Sequence, residues 1–360
     1  MAILDPAVLA DPVALTRALV DIESVSGNER EIADAVQAAL GDVAHLSVSR
    51  LGNTVAARTD LGRSKRVVLA GHLDTVPLAD NFPSTVDDEA IYGCGTSDMK
   101  SGTALALHLA ATLAQPRYDV TYLFYECEEI EAVRNGLTIV AREHPNWLAA
   151  DFAILLEPTY GGVEAGCQGT LRATVRTEGK RAHAARSWLG TNAIHVAAGV
   201  LDRLDRYVPR EVTIDGCTYR EGLNAVWIRG GVASNVVPDE CEIEVNHRFA
   251  PDRTAAEAAD HLKDVFKGYT LDVRDWAEGA LPGLAAAPAR EFLEVVGEPP
   301  TAKFGWTDVA RFAALGIPAL NYGPGDPNLA HTREERVEIA KIESGAQVLR
   351  AWLSGSAATV

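Results

Sequence analysis

Residues Val67 to Pro77 read VVLAGHLDTVP. Four apolar residues and a glycine lead to His72, Asp74 follows two positions on, and a proline closes the run. The apolar stretch predicts a buried strand. On extended backbone, side chains two residues apart point to the same face, so this strand ends by presenting an imidazole and a carboxylate together. Taken alone, a solvated strand end accounts for the pair as well as a binding site does. The remainder of the chain decides between them.

With 360 residues, 47% of them hydrophobic, the chain can bury a large core, and its length suggests two domains more readily than one. No apolar run approaches the roughly 20 residues that a helical membrane span requires. The opening segment, MAILDPAVLADPVALTRALV, carries aspartates and two prolines and lacks a basic lead, so no signal peptide is expected. Five cysteines, Cys94, Cys127, Cys167, Cys217 and Cys241, stand singly with no CxxC pair. That spacing argues against a disulfide framework and a thiolate zinc knuckle, and a cytoplasmic protein is expected. A formal net charge of -17 disfavours nucleic acid and anionic membrane as partners, which are bound through lysine and arginine excess.

Strand-like runs and helical patterns alternate through the first half. Residues 12–21 predict a helix capped by Asp11 with proline at its first position, and residues 29–40 predict a second. Residues 45–50, 120–125 and 152–156 predict strands, and the Ala/Leu-rich stretch 100–114 a helix. Such alternation implies a covered, mostly parallel sheet in an α/β domain. From about residue 168 the texture changes. LRATVRT (171–177) and ECEIEVNHRF (240–249) alternate polar and apolar residues as half-exposed antiparallel strands do. With helical patterns at 192–206 and 254–266 and a strand at 269–273, they suggest an inserted α+β, ferredoxin-like β-α-β-β-α-β module. The α/β texture returns after residue 285, with residues 312–315, the strand IPALNYG and a closing helix; residues 280–289 read as a linker.

The ends of the first-domain strands carry the chemistry. One delivers His72 and Asp74. YGCGTSDMKSG sets Asp98 in a glycine-rich loop ahead of a helix, YLFYECEEIE ends on Glu128 and Glu129, DFAILLEPT on Glu157, and the loop after the last strand carries His331. In open α/β sheets ligands collect beyond the carboxyl ends of the strands. Bare carboxylates crowded there would repel one another and raise their own pKa values. A divalent cation removes that cost, and mixed His/Asp/Glu ligation suits zinc, cobalt or manganese. Each residue also has an ordinary reading. His331 is followed by Thr332 and Glu335, a T-x-x-E capping box that would open a helix; Asp98 could cap a helix; Glu128 and Glu129 could be solvated. Glu157, placed between FAILL and a proline, is the hardest to read that way.

GHLDTVP, YGCGTSDMKSG, the Glu128-Glu129 pair, LLEPT and AHTREE, with GKRAHAA and SNVVPDECEIEVNHRF in the inserted module, resemble the M20 metallopeptidase family of co-catalytic zinc amidohydrolases over nearly the whole chain. The resemblance implies a zinc-exopeptidase-like catalytic domain (residues 1–168 and 284–360) and an inserted lid and dimerisation domain (169–283). It implies two divalent ions: His72 and Glu157 on one, Glu129 and His331 on the other, and Asp98 bridging them. Asp74 would orient the His72 imidazole, and the Asp98-Met99 peptide would be cis. Glu128 would be the general base. His183 would donate to the oxyanion from the other subunit of a homodimer. Arg248 would hold a substrate carboxylate and Asn235 the acyl group, with Thr170, Thr307 and Asn328 around the pocket.

The branch most resembled hydrolyses N-succinyl-L,L-2,6-diaminopimelate to succinate and L,L-diaminopimelate in lysine and peptidoglycan-precursor synthesis. One departure stands out. Proteobacterial members of that branch read Gly-Arg-Arg-Gly-Ser at the domain junction, where this chain has Gly166-Cys167-Gln168-Gly169-Thr170, without either arginine. Acetylornithine deacetylase, aminoacylase and dipeptidase activities share the same metal ligands and base, and the residues around Gln168, Thr170 and Arg248 would separate them. A non-catalytic metal-binding scaffold would be expected to lack the base or a ligand, and all those positions are filled.

Overall fold

The computed structural model describes residues 4–356, so residues 1–3 and 357–360 of the expected terminal segments lie outside the described residues. The chain forms two compact units. Among the described residues, one takes in those up to Ala165, Pro282–Thr301 and those from Arg311 on; the other takes in Gly166–Leu281 and Ala302–Ala310. Among the described residues no helix is long and apolar enough to cross a membrane.

The first unit is built on an eight-stranded sheet. Its centre is parallel: Asp119–Tyr125, Arg66–His72, Phe152–Leu155 and Ala319–Asn321 lie side by side. Val67, Val68, Leu69 and Ala70 are all buried. Successive strand residues face opposite sides, so both faces of the sheet are covered. Val67 and Leu69 join a core with Leu105, Leu109, Phe292 and Trp352 from flanking helices. The flanks of the sheet are antiparallel rather than parallel. Ser47–Leu51 and Thr54–Arg58 form a hairpin, and a connection of two residues, Gly52 (φ 61°) and Asn53, cannot make the crossover that parallel strands need.

Around this sheet the expected helices appear within a residue or two of their predicted ends. Pro12–Val20 is capped by the Asp11 carboxylate, Arg30–Gly41 follows Glu29, and Ser101–Thr112 is buried along most of its length. The 280–289 stretch is partly structured, since the helix Ala287–Val296 starts inside it.

The second unit carries a four-stranded antiparallel sheet in the spatial order Gly222–Gly230, Glu240–Phe249, Gly169–Glu178, Thr270–Ala277. The helices Ala193–Asp205 and Ala255–Val265 follow its first and third strands in chain order, which is the ferredoxin-like arrangement. Asn192 caps one helix and a complete Thr254–Glu257 capping box opens the other. Val175, Ile243, Val245, Ala197, Val200 and Leu262 make its core. The strand Gly222–Gly230 was not legible in the sequence. Its residues Val226, Trp227 and Ile228 are all exposed, and a bulge between Ala225 and Trp227 breaks the alternation.

Candidate metal centre

The parallel strands bring their carboxyl ends to one edge in close register. His72 pairs with Tyr125, so the chain turning out of that neighbour supplies Glu128 and Glu129 just beyond. Ala70 pairs with Leu155, which places Glu157 level with His72 on the other side. Asp98 arrives in the turn before the helix Ser101–Thr112, and its peptide to Met99 is cis. His331 comes from the long loop after Ala319–Asn321, in the left-handed region at φ 62°.

The side chains converge around Asp98. His72 Nε2 lies 3.2 Å from Asp98 Oδ1, His331 Nε2 lies 3.4 Å from Asp98 Oδ2, and His331 Nε2 lies 2.7 Å from Glu129 Oε1. Ligand atoms of His72, Asp98 and Glu157 fall within 4.8 Å of one another, and those of Asp98, Glu129 and His331 do likewise. Asp98 therefore belongs to both groups, each of two carboxylates and one imidazole. Glu128 lies beside them, grouped with His72 and Glu129 at the same spacing.

Electrostatics test whether this donor set suits a cation. Burial opposes a proton on His72, but the hydrogen bond to Asp98 and the charges of Asp74 and Glu128 raise its pKa well above the ordinary value. Hydrogen bonds to Asp98 and Glu129 push His331 up to about 10. Burial acts to raise Asp98, yet its contacts with His331 and His72 hold it below the usual carboxylate range. So many carboxylates at one point draw positive charge onto the two imidazoles, and divalent cations at the same place would replace those protons. Nitrogen and oxygen donors at this spacing fit zinc and its neighbours.

Three buried carboxylates hold the backbone of the ligand loops. Asp74 is fully buried. Its Oδ1 accepts the Glu128 N–H at 3.0 Å, and its Oδ2 accepts the Glu129 N–H at 3.1 Å and the Ser26 hydroxyl at 2.7 Å. His72 Nδ1 is 3.0 Å from the Asp74 carbonyl oxygen and 3.5 Å from its carboxylate, so the nearer partner of the imidazole is main chain. Glu29 accepts the N–H groups of Gly27 and Cys127 on one oxygen, the latter residue at φ 58° just ahead of Glu128. Glu335 accepts three N–H groups of the Asp98 turn.

That last finding overturns the capping-box reading of His331-Thr332-Arg333-Glu334-Glu335. No helix starts there, and the next begins at Ile339. The Glu335 carboxylate is spent on residues about 240 positions away in the chain. Likewise Asp98 caps no helix: Ser101–Thr112 has no side-chain cap. Glu29 and Glu335 were both missed as contributors. Glu29 shows in sequence only as an acidic residue among turn formers, which solvated surface produces equally well, and Glu335 only as the end of the T-x-x-E pattern.

In the second unit, Arg248 and Thr170 stand directly opposite each other on paired strands. Arg248 is half-buried, and burial with the nearby Arg172 charge lowers its pKa. His183 and Asn235 are exposed and adjacent. His183 pairs with Val236, and the Ala184 N–H donates to the Asn235 carbonyl at 2.9 Å. Thr307 is buried, its carbonyl accepting from the Cys167 thiol. Gln168 is also buried and donates to the Arg220 carbonyl. Asn328, in the first unit, is exposed and turned onto Asp326.

Residues 68–354 match the model of peptidase family M20/M25/M40. A Corynebacterium glutamicum protein named succinyl-diaminopimelate desuccinylase is 50% identical over 96% of this chain and 97% of its own. A Mycobacterium tuberculosis protein given the same name provisionally is 57% identical over 96% of this chain and 98% of its own. Among solved structures, a Staphylococcus aureus tripeptidase superposes with a TM-score of 0.79 at 23% identity, over 96% of this chain and 98% of that one. The likeness to that structure concerns the fold.

Proposed function

The chain belongs to the M20/M25/M40 peptidase family, and from that premise we propose that it hydrolyses the amide of N-succinyl-L,L-2,6-diaminopimelate, releasing succinate and L,L-diaminopimelate. The observation that carries the chemistry is Asp98 shared between two ligand groups, with Glu128 beside them. The names of the 50% and 57% identical relatives support the substrate. In this reading the enzyme serves diaminopimelate and lysine synthesis.

His72 and Glu157 would hold one divalent ion and Glu129 and His331 the other, with Asp98 common to both; zinc is the ion proposed, cobalt or manganese the alternatives. Bound there, the ions supply an acidified water and a polarised amide carbonyl. Glu128 takes a proton from the attacking water at its carboxylate and returns it to the leaving amine nitrogen. Asp74 fixes the Glu128 and Glu129 amides while this happens. His183 donates a proton to hydrogen-bond the developing oxyanion, and Arg248 grips a substrate carboxylate through its planar fork. Asn235, Thr170, Thr307 and Asn328 complete the substrate contacts in this reading.

The inserted domain acts as lid and dimerisation surface. Homodimerisation is supported by the exposed Val226, Trp227 and Ile228 on the sheet's edge strand, with Trp188 and Leu189 also exposed in that domain. Five free, buried cysteines support a reducing, cytoplasmic compartment.

The test compares hydrolysis of N-succinyl-L,L-diaminopimelate and N-acetylornithine by the zinc-loaded protein, with Glu128→Ala as control. Preference for the succinyl substrate, lost in the control, is expected. Activity on acetylornithine alone would keep the metal chemistry and overturn the substrate.

A further inference from the structure

We propose that Glu335 is a positioning residue for the metal centre: it sets the Asp98 carboxylate against His331 and so governs occupancy of the Glu129–His331 site. The inference rests on the two-metal reading of Asp98.

Glu335 is buried, 2% exposed. Its Oε1 accepts the Ser97 N–H at 2.9 Å and the Asp98 N–H at 3.0 Å, and its Oε2 accepts the Gly95 N–H at 3.0 Å. Three amides of one turn therefore converge on one carboxylate, as in an anion-binding nest. The turn needs Gly95, which sits at φ 83° with room for no Cβ: one there would lie 2.7 Å from Thr75 Cγ2. The same two segments are joined at further points. The Gly93 N–H donates to the Glu335 carbonyl at 3.0 Å. The Ser97 hydroxyl donates to the Arg336 carbonyl at 2.9 Å and accepts the Asp326 N–H at 3.1 Å. Arg336–Glu338 pairs with Ala90–Tyr92.

The consequence is selective. His72 and Glu157 come from neighbouring parallel strand ends, so the register of the sheet sets their positions. His331 does not. It stands in a long loop with its side chain half exposed, and Glu335, four residues on, is the side chain that ties that segment to the Asp98 backbone. A carboxylate buried beside Asp98 carries a like-charge cost. Filling space or closing a turn does not require that cost; presenting three acceptor directions to three amides does.

The test titrates metal-free protein with cobalt(II) by calorimetry and visible absorption, for the wild type, Glu335→Gln, His331→Ala and His72→Ala. Glu335→Gln keeps the shape but turns an NH2 donor on at least one amide. It is expected to retain the ion that His331→Ala retains and to bind the other roughly 10- to 100-fold more weakly, with an altered cobalt spectrum. Its kcat should fall with KM unchanged, while melting of the metal-free protein stays cooperative. Should Glu335→Gln fail to fold, Glu335→Asp, one methylene short, should show the same selective weakening. Wild-type affinities and spectrum in the variant, with or without a lower Tm, would overturn the inference, as would loss of the ion that His72→Ala loses. A wild type that takes up no cobalt would instead remove the two-metal reading, and the inference with it.

Discussion

The amide of Glu128 donates to Oδ1 of Asp74 at 3.0 Å. Asp74 also accepts from Glu129 and Ser26, and its carbonyl faces Nδ1 of His72. One residue thus anchors the first imidazole and both glutamates, which is why a carboxylate two positions beyond His72 matters. Asp74→Asn should leave the ring's main-chain partner in place but turn a donor toward one of the two amides. Leaving a buried amide unpaired costs about 1–3 kcal/mol, and losing such orienting contacts at a metal site lowers activity about 10- to 100-fold. Steady-state kinetics with metal analysis would check this, and an unchanged kcat would refute the anchoring role.

Gly102 opens the buried helix Ser101–Thr112, where an added Cβ would lie 2.0 Å from the Leu156 carbonyl oxygen. That carbonyl is main chain, one residue before Glu157, and cannot swing away. Gly102→Ala is expected to cost about 1–3 kcal/mol through overpacking. It should also weaken metal binding by pushing Glu157 off its position. Urea unfolding and cobalt titration report the two effects separately; destabilisation with unchanged metal affinity would show that the strand end relaxes without moving its ligand.

Legibility in the sequence followed physical locality. The central strands were readable because each is a short apolar run, and their bounding His, Asp and Glu residues stood out as charge at the end of burial. Asp11 announced its helix because a cap acts on residues two and three positions ahead, here Val13 and Ala14. Glu335 was not readable. Its partners lie at residues 95–98, and a local T-x-x-E pattern offered a competing explanation that the loop does not adopt. The strand Gly222–Gly230 was hidden for another reason: Val226, Trp227 and Ile228 are consecutive apolar residues, all exposed, beside a bulge, where period-two alternation fails. Register between distant strands, which brings Glu157 level with His72, is a property of the assembled sheet alone.

Glu221 gives the inserted unit a pH-dependent element. Its buried carboxylate accepts from Arg210 at 2.9 Å and from the Ala250 N–H at 3.1 Å, with Arg253 3.6 Å away. Burial acts to raise its pKa, but these donors outweigh it and hold the value below the ordinary 4.5. A group whose folded pKa is depressed contributes stability above its unfolded pKa and loses it as pH falls through the folded value. Arg210 keeps its pair with Asp252, so Glu221→Gln should be less stable than wild type at pH 7 by about 1–3 kcal/mol, the cost of losing hydrogen bonds to a buried charged group. The gap should narrow once pH drops below about 4.5. Urea midpoints across that range would show it; a gap constant with pH would mean the carboxylate charge is not what stabilises the fold.

His183 supplies the last prediction. Its Nδ1 accepts the Ala185 N–H at 3.0 Å, so the neutral ring carries its proton on Nε2, which is the donor an oxyanion needs. The ring is exposed at the start of a short helical turn, where it contributes little to packing. His183→Ala should leave metal content and Tm unchanged and lower kcat about 100-fold or more. The subunit that provides it can be read in the same experiment. Where His183 acts across a homodimer, mixing unfolded Glu128→Ala and His183→Ala chains and refolding them together makes hybrids in which one site has both groups intact. Random pairing then restores about a quarter of wild-type activity. If each site uses its own chain's His183, no hybrid has a complete site and the mixture stays inactive.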